Sequence, residues 1–363
     1  MKKSLAFLMG LTVVASALTG CGGAKSSSES KESATSATEA TTAADTTEAT
    51  TAAETTTEAT EEDEEENYDT GDASLDNPRN QDEIGENELL VLSFGTSFND
   101  SRRLTIGAIE DALEKAFPDY SVRRGFTANI IIDHVKRRDN EVIDDVKEAL
   151  DRAQKNGVKT LVVQPTHLMD GLEYNDIVNE IASYSDAFDK VVIGKPLLTT
   201  DDDFKRVENA IVDWTKDYDD GKTAICFMGH GTEAESNGVY AKMQDMLTAD
   251  GHTNYFVGTV EASPSVEDVL KKVKEGGYEK VVLEPLMVVA GDHANNDMAG
   301  DDEDSWKSMF EASEYFENID CQIEGLGRIE AVQQLYVAHT AAVVSGIDIS
   351  VSSLEDGEYE VFF

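Results

Sequence analysis

Three side chains in this 363-residue chain have the types and settings for metal or proton chemistry. His230 stands between two glycines in Met228-Gly229-His230-Gly231, directly after an apolar run, where glycine lets a backbone turn sharply. His293 lies in Ala290-Gly291-Asp292-His293-Ala294-Asn295-Asn296-Asp297, and Glu173 in Gly171-Leu172-Glu173-Tyr174. Two imidazoles and a carboxylate form a borderline ligand set suited to divalent Co, Fe, Ni or Zn. No local spacing joins them; their support is an internal repeat. Leu92-Ser93-Phe94-Gly95-Thr96 lies over Cys226-Phe227-Met228-Gly229-His230, which makes Thr96 the counterpart of His230. The stretch from Val163 to Glu173 lies over that from Leu283 to His293, which pairs Glu173 with His293. His134, His167, His252 and His339 read as structural or surface residues, His339 packed mid-helix beside Val337 and Ala338. Arg102, Arg103, Lys115, Arg123, Arg124, Lys136, Arg137 and Arg138 crowd one stretch. Arginine forks grip carboxylates bidentately, so this stretch is either a polycarboxylate-binding face or a solvated helix face balancing nearby acids.

The elements that must position these residues alternate. Leu89 to Phe94, Thr160 to Val163, Val191 to Ile193, Ala224 to Met228, Tyr255 to Gly258 and Lys280 to Leu283 are short apolar runs that predict buried strands. Between them, residues 106–117, 143–153, 177–188, 239–247 and 266–274 carry helical spacing, and 329–344 predicts a long amphipathic helix crossing between lobes. Continuous apolar strands alternating with helices predict two similar α/β lobes, each a parallel sheet flanked by helices, internally duplicated. The lobes are expected at residues 88–212 and 213–363, with ligands in the crevice at the carboxyl ends of the strands.

What precedes the lobes reads as an address and a tether. Lys2 and Lys3 lead into the largely apolar run Leu5 to Leu18, too short for the ~20 residues of a membrane span but suited to a secretory signal over residues 1–21. Leu18-Thr19-Gly20-Cys21 resembles the bacterial lipoprotein lipobox, which implies acylation of Cys21 and an extracytoplasmic, membrane-anchored protein. Residues 22–87 are then expected to be a disordered acidic tether, since from Gly22 to Asn67 no apolar side chain exceeds alanine. The chain holds 73 Asp and Glu against 30 Lys and Arg, a net charge of -43, and the lobes stay acidic without the tether. That excludes a nucleic-acid partner, which needs a basic face. Cys226 sits in an apolar strand as a buried thiol, and a disulfide to Cys321 stays open.

These motifs in combination resemble the anaerobic cobalt chelatase family of cobalamin synthesis, which inserts cobalt into sirohydrochlorin. The resemblance runs from about Leu89 to Ala342. Its carriers are Leu92 to Ser97, Arg124-Gly125-Phe126-Thr127 with Ile130-Ile131, Gly171 to Tyr174, Phe227 to Gly231, Pro285-Leu286-Met287, Ala290 to Met298 and Asp304-Ser305-Trp306-Lys307. It implies a two-lobed chelatase fold and cobalt held by His230, His293 and Glu173, with no organic cofactor. It also implies substrate contacts at Ser93, Thr96, Arg124, Gly229 and Asp292. A tetrapyrrole must lose two N–H protons as metal enters, a role expected of His230, with Glu173 sharing the catalytic work. Co(II) is the expected metal substrate, with Fe(II) and Ni(II) unranked against it. A homo-oligomer is left open. Because an extracytoplasmic setting lacks an evident precursor supply, the alternative is a surface lipoprotein that captures haem, another tetrapyrrole or metal. A weaker third reading is metal removal from a scavenged tetrapyrrole.

Overall fold

The computed structural model describes residues 70–346; the leader, Cys21, the tether up to residue 69 and the tail from residue 347 lie outside the described residues. The first sheet contains β1 (Asn87–Ser93), β2 (Ser121–Phe126), β3 (Asp144–Asp145), β4 (Thr160–Pro165) and β5 (Lys190–Ile193) in the order β3-β2-β1-β4-β5. The second contains β6 (Thr223–Gly229), β7 (Tyr255–Thr259), β8 (Lys280–Pro285) and β9 (Asn318–Cys321) in the order β7-β6-β8-β9. Every strand pair is parallel. Parallel sheets need cover on both faces. Alternate residues of β1 supply it: Leu89 and Val91 pack with Ile109 and Val207, whereas Leu90 and Leu92 pack with Leu150 and Ile177.

The covering helices are α1 (Asn99–Arg102), which runs through a π-helical turn (Arg103–Gly107) into α2 (Ala108–Ala116), then α3 (Asn129–Asp139), α4 (Val146–Lys155), α5 (Leu172–Ser183) and α6 (Asp201–Thr215). The second half adds α7 (Gly238–Ala249), α8 (Val266–Gly276), a π-helical turn (Ala294–Met298), α9 (Trp306–Ala312) and α10 (Glu330–Ser345). Reciprocal caps begin three of them, Asp145 with Glu148, Thr200 with Asp203 and Ser265 with Asp268, satisfying amides that the first turn leaves unpaired.

The duplication predicted from sequence is present; Pro165 matches Pro285, as the alignment of Val163 to Glu173 over Leu283 to His293 has it, but the other alignment is out of register. Leu92 lies beside Pro165 and Gly125 in the first sheet, and Met228 beside Pro285 and Gly258 in the second. Phe94 is therefore the counterpart of His230, and Gly95 (φ 106°) that of Gly231 (φ 92°). The pairing of Thr96 with His230 is corrected by two residues, because the repeat aligned one glycine too early.

Two further corrections concern boundaries. Residues 70–86, assigned to the tether, are docked on the first lobe: Arg79 is buried and Arg124 N–H donates to the Arg79 carbonyl at 3.2 Å. The division at 212/213 falls inside α6, and α10 returns from the second half to the first sheet. There the Tyr336 hydroxyl donates to the Thr166 carbonyl at 2.8 Å, and His339 lies buried 2.9 Å from Asp203. This is the lobe-crossing and the packed His339 expected from sequence. Strand β2 escaped the sequence pattern because Arg123 and Arg124 interrupt it; both are buried through ion pairs rather than apolar contact. Cys226 and Cys321 carry free thiols, the first fully buried.

Candidate metal centre

The carboxyl ends of the two sheets meet. An ideal Cβ on Gly291, after β8, would sit 3.1 Å from Thr96 Oγ1, after β1, and one on Gly171, after β4, would sit 3.5 Å from Ser236 Oγ, after β6. His230 follows β6 immediately and His293 immediately precedes the π-helical turn at Ala294–Met298. Their rings stand edge to face with centroids 4.6 Å apart.

Each ring is oriented by its Nδ1. His230 Nδ1 lies 2.8 Å from the Gly231 carbonyl and His293 Nδ1 lies 2.7 Å from Asp297 Oδ2. A carbonyl and a carboxylate only accept, so Nδ1 carries the proton in both rings and Nε2 keeps the lone pair for a metal. Burial opposes protonation of His293, but the Asp297 hydrogen bond and the charges of Asp297, Asp292 and Glu261 outweigh it and raise its pKa above the ordinary imidazole value.

The carboxylate that joins these rings is Glu261. One ligand atom from each of His230, Glu261 and His293 lies within 4.8 Å of the other two, and Asp292, His293 and Asp297 form a second such group. Glu261 is placed by backbone pairing beyond β7: its N–H donates to the His230 carbonyl at 2.9 Å, and its carboxylate lies 3.7 Å from His230 Nδ1. No sequence motif marks Glu261; only the β6–β7 register brings it to His230. Asp297 had a legible signal, four residues beyond His293 in a helical stretch.

Glu173 takes another position. It lies in the first turn of α5 with Oε2 3.0 Å from His167 Nε2, and it belongs to neither three-residue group. His167, read as structural or surface, is thus its hydrogen-bond partner on the first lobe. Glu173 also lines a cavity of about 430 Å³ with Asp145, Asp176, Glu180 and Lys147.

Of the five expected substrate contacts, Asp292 lies with His293 and Asp297, its Oδ1 accepting from Asn296 Nδ2 at 2.5 Å. Arg124 is corrected: it is fully buried, with Nε and Nη2 on Glu110 (2.8 and 2.7 Å) and Nη1 on Asp76 (2.6 Å), so no edge is left for a ligand. Arg102 and Arg123 are likewise buried in ion pairs, with Asp76 and Asp144, so neither reading of the basic stretch describes these three. Ser93 is corrected too, since its buried Oγ accepts from Thr166 Oγ1 at 2.7 Å and ties β1 to β4. Thr96 is buried, its Oγ1 accepting from the Phe98 N–H at 3.2 Å. Gly229 makes room for Tyr240, whose ring would lie 2.1 Å from a Cβ there.

The first lobe presents apolar surface where the second presents ligands. Phe94, the counterpart of His230, is 46% exposed, and Ile130 and Leu172, in the first turns of α3 and α5, are 37% and 71% exposed.

The model of the cobalt chelatase (CbiK) family matches residues 87–345. The sirohydrochlorin cobaltochelatase of Salmonella typhimurium is 36% identical over 253 residues, covering 69% of this chain and 94% of that protein. The sirohydrochlorin cobaltochelatase CbiKC of Nitratidesulfovibrio vulgaris is 29% identical over 265 residues, covering 72% and 91%. Among solved structures, SirB from Bacillus subtilis with Fe3+ aligns at 12% identity with a TM-score of 0.49, covering 76% of this chain and 100% of that one. With the matched region spanning both sheets and the paired histidines, the chain belongs to the cobalt chelatase family.

Proposed function

We propose that the protein inserts Co(II) into sirohydrochlorin or a close tetrapyrrole relative. The carrying observation is the convergence of His230, Glu261 and His293 at the strand ends of a chain in this family. Two neutral imidazoles and a carboxylate suit a borderline divalent ion such as Co(II). His230 and Glu261 are each about half exposed, which leaves coordination positions on the solvent side for a macrocycle to take over. Phe94, Ile130 and Leu172 offer the flat ring apolar contact from the first lobe. With both histidines committed through Nε2, the two pyrrole protons leave one at a time through Glu173, whose carboxylate, beside His167 and about half exposed, takes each in turn and passes it to solvent. Glu173 is in this reading a proton acceptor rather than a metal ligand. No step calls for an organic cofactor.

The lipobox-like Leu18-Thr19-Gly20-Cys21 supports anchoring of this activity outside the cytoplasm through acylated Cys21. Fatty-acid labelling of the full chain, lost in Cys21→Ser, tests the anchor. The reaction is tested by mixing the full-length protein anaerobically with sirohydrochlorin and Co(II) and following the visible spectrum. Insertion that disappears in the His230→Ala, His293→Ala double variant supports the proposal. A tight spectral shift without metallation would make the protein a capture lipoprotein instead.

A further inference from the structure

The residues just before the family-matched region form a strap across the first lobe. The Asp100 N–H donates to the Thr70 carbonyl at 2.9 Å, Asn99 Nδ2 to the Gly71 carbonyl at 3.1 Å, and Asn80 Nδ2 to the Val142 carbonyl at 2.8 Å. At its centre Asp76, with a side chain 2% exposed, enters a pocket between two arginines that are wholly buried. Its Oδ2 accepts from Arg102 Nε at 2.8 Å and from Arg124 Nη1 at 2.6 Å, and its Oδ1 from Arg124 Nη2 at 3.2 Å. Arg124 has a second carboxylate in Glu110, but the next carboxylate to Arg102 is Glu141 at 3.4 Å. Arg102 therefore depends on Asp76 for its close partner.

Arg102 also holds the loop after β1. Its Nη1 donates to the Thr96 carbonyl at 3.1 Å and its Nη2 to Asn99 Oδ1 at 2.7 Å. Thr96 is the residue against which Gly291 packs so closely that a Cβ would lie 3.1 Å from Oγ1. Gly291 stands two residues before His293, and the neighbouring Ala290 N–H donates to Ser101 Oγ at 3.0 Å from the same first-lobe segment. A continuous path of contacts thus leads from the strap to a metal-ligand candidate on the opposite lobe.

We propose that Asp76 is a positioning residue for the metal centre: its carboxylate, carried by a strap outside residues 87–345, fills the Arg102–Arg124 pocket and so holds the Thr96 loop against Gly291 beside His293. The inference rests on the reading of His230, Glu261 and His293 as the metal site, and its test measures Co(II) binding rather than insertion. If the wild type binds Co(II) but fails to metallate sirohydrochlorin, the proposed reaction falls while the positioning role is still decided by the binding data.

The test uses full-length wild type, Asp76→Ala, Asp76→Asn, Gly291→Ala and the Asp76→Asn, Gly291→Ala double variant, each checked for fold by near-ultraviolet circular dichroism. The visible absorption of bound Co(II) gives the affinity and reports the ligand geometry. Asp76→Ala and Asp76→Asn should each weaken binding by about 2- to 30-fold, the scale of coupling carried through a chain of contacts, and alter the Co(II) band. Formate should restore both readouts in Asp76→Ala, whose vacated pocket accepts a small carboxylate, but not in Asp76→Asn. Gly291→Ala should weaken binding, and the double variant should lose less than the sum of the single losses because both act at one contact. Wild-type affinity in either folded Asp76 variant, or fully additive losses, would overturn the proposal. If Asp76→Ala does not fold, Asp76→Asn and the cycle with Gly291→Ala decide it alone.

Discussion

Exchanging Glu261 for glutamine separates the candidate metal site that the fold assembles from the one expected from sequence. The carboxylate lies 3.7 Å from the His230 ring, so an ion held among His230, Glu261 and His293 would be within about 4 Å of it at most stages of binding. A doubly charged ion and a carboxylate about 4 Å apart attract by about 2 kcal/mol even at the dielectric of bulk water. That converts to a loss of ~30-fold in affinity before any coordination bond is counted. Glu261→Gln should therefore weaken Co(II) binding by at least ~30-fold, measured by anaerobic titration of the Co(II) visible bands. Glu173→Gln, altering a residue hydrogen-bonded to His167, should leave Co(II) affinity within about threefold while slowing insertion ~100-fold or more, as expected of a lost proton acceptor. The opposite pattern, affinity lost with Glu173→Gln and kept with Glu261→Gln, would refute the reasoning and return the metal to the set predicted from sequence.

Co(II) binding should weaken as pH falls through the raised pKa of His293, because a protonated ring cannot ligate; affinity should drop about tenfold per unit below it. Asp297→Asn should move that midpoint to lower pH, and an unmoved midpoint would show that another group titrates. Burial, then the Glu324 charge, pushes the Glu284 carboxyl up to about 8, and its Oε1 has no partner. Folding therefore takes up a proton between the ordinary carboxylate range and pH 8, so stability falls as pH rises across that window. Glu284→Gln, which copies Gln164 of the first lobe, should raise Tm by an increment that grows from pH 5 to pH 8; a constant increment would contradict it. Shortening the chain to begin at residue 88 removes Asp76 and leaves the buried Arg102 without its close partner, at a cost of about 3–5 kcal/mol, while Arg124 and Glu110 still pair with each other. Urea unfolding should show this as a lower midpoint, and an unchanged midpoint would mean the strap does not stabilise the lobe.

Much of the architecture was legible because apolar periodicity and burial have the same cause. Runs such as Leu89 to Leu92 and Ala224 to Met228 can satisfy their backbone and bury both faces only inside a parallel sheet. Some of the elements missed are those whose burial is not apolar, or is only partial, although α6 was missed despite the buried apolar face of Phe204, Val207 and Ile211. Strand β2 places Arg123 and Arg124 in the interior through ion pairs, and the edge strand β9 is half buried. The strap was assigned to the tether for the same reason, since Asp76 and Arg79 look like solvent-seeking residues until their partners are known.

The sequence by itself determined the two-lobed duplication and the family, and it singled out His230 and His293, whose rings the fold brings together, because glycine-flanked histidines at strand ends carry a local signature. Only the tertiary structure brings a carboxylate beside this pair. Glu261 reaches His230 through the lateral register of β6 and β7, a pairing between segments about thirty residues apart that no local pattern encodes. It likewise decided that Arg124 and Arg102 serve the strap rather than an external carboxylate, because the charge that neutralises a buried arginine is set by what folds against it.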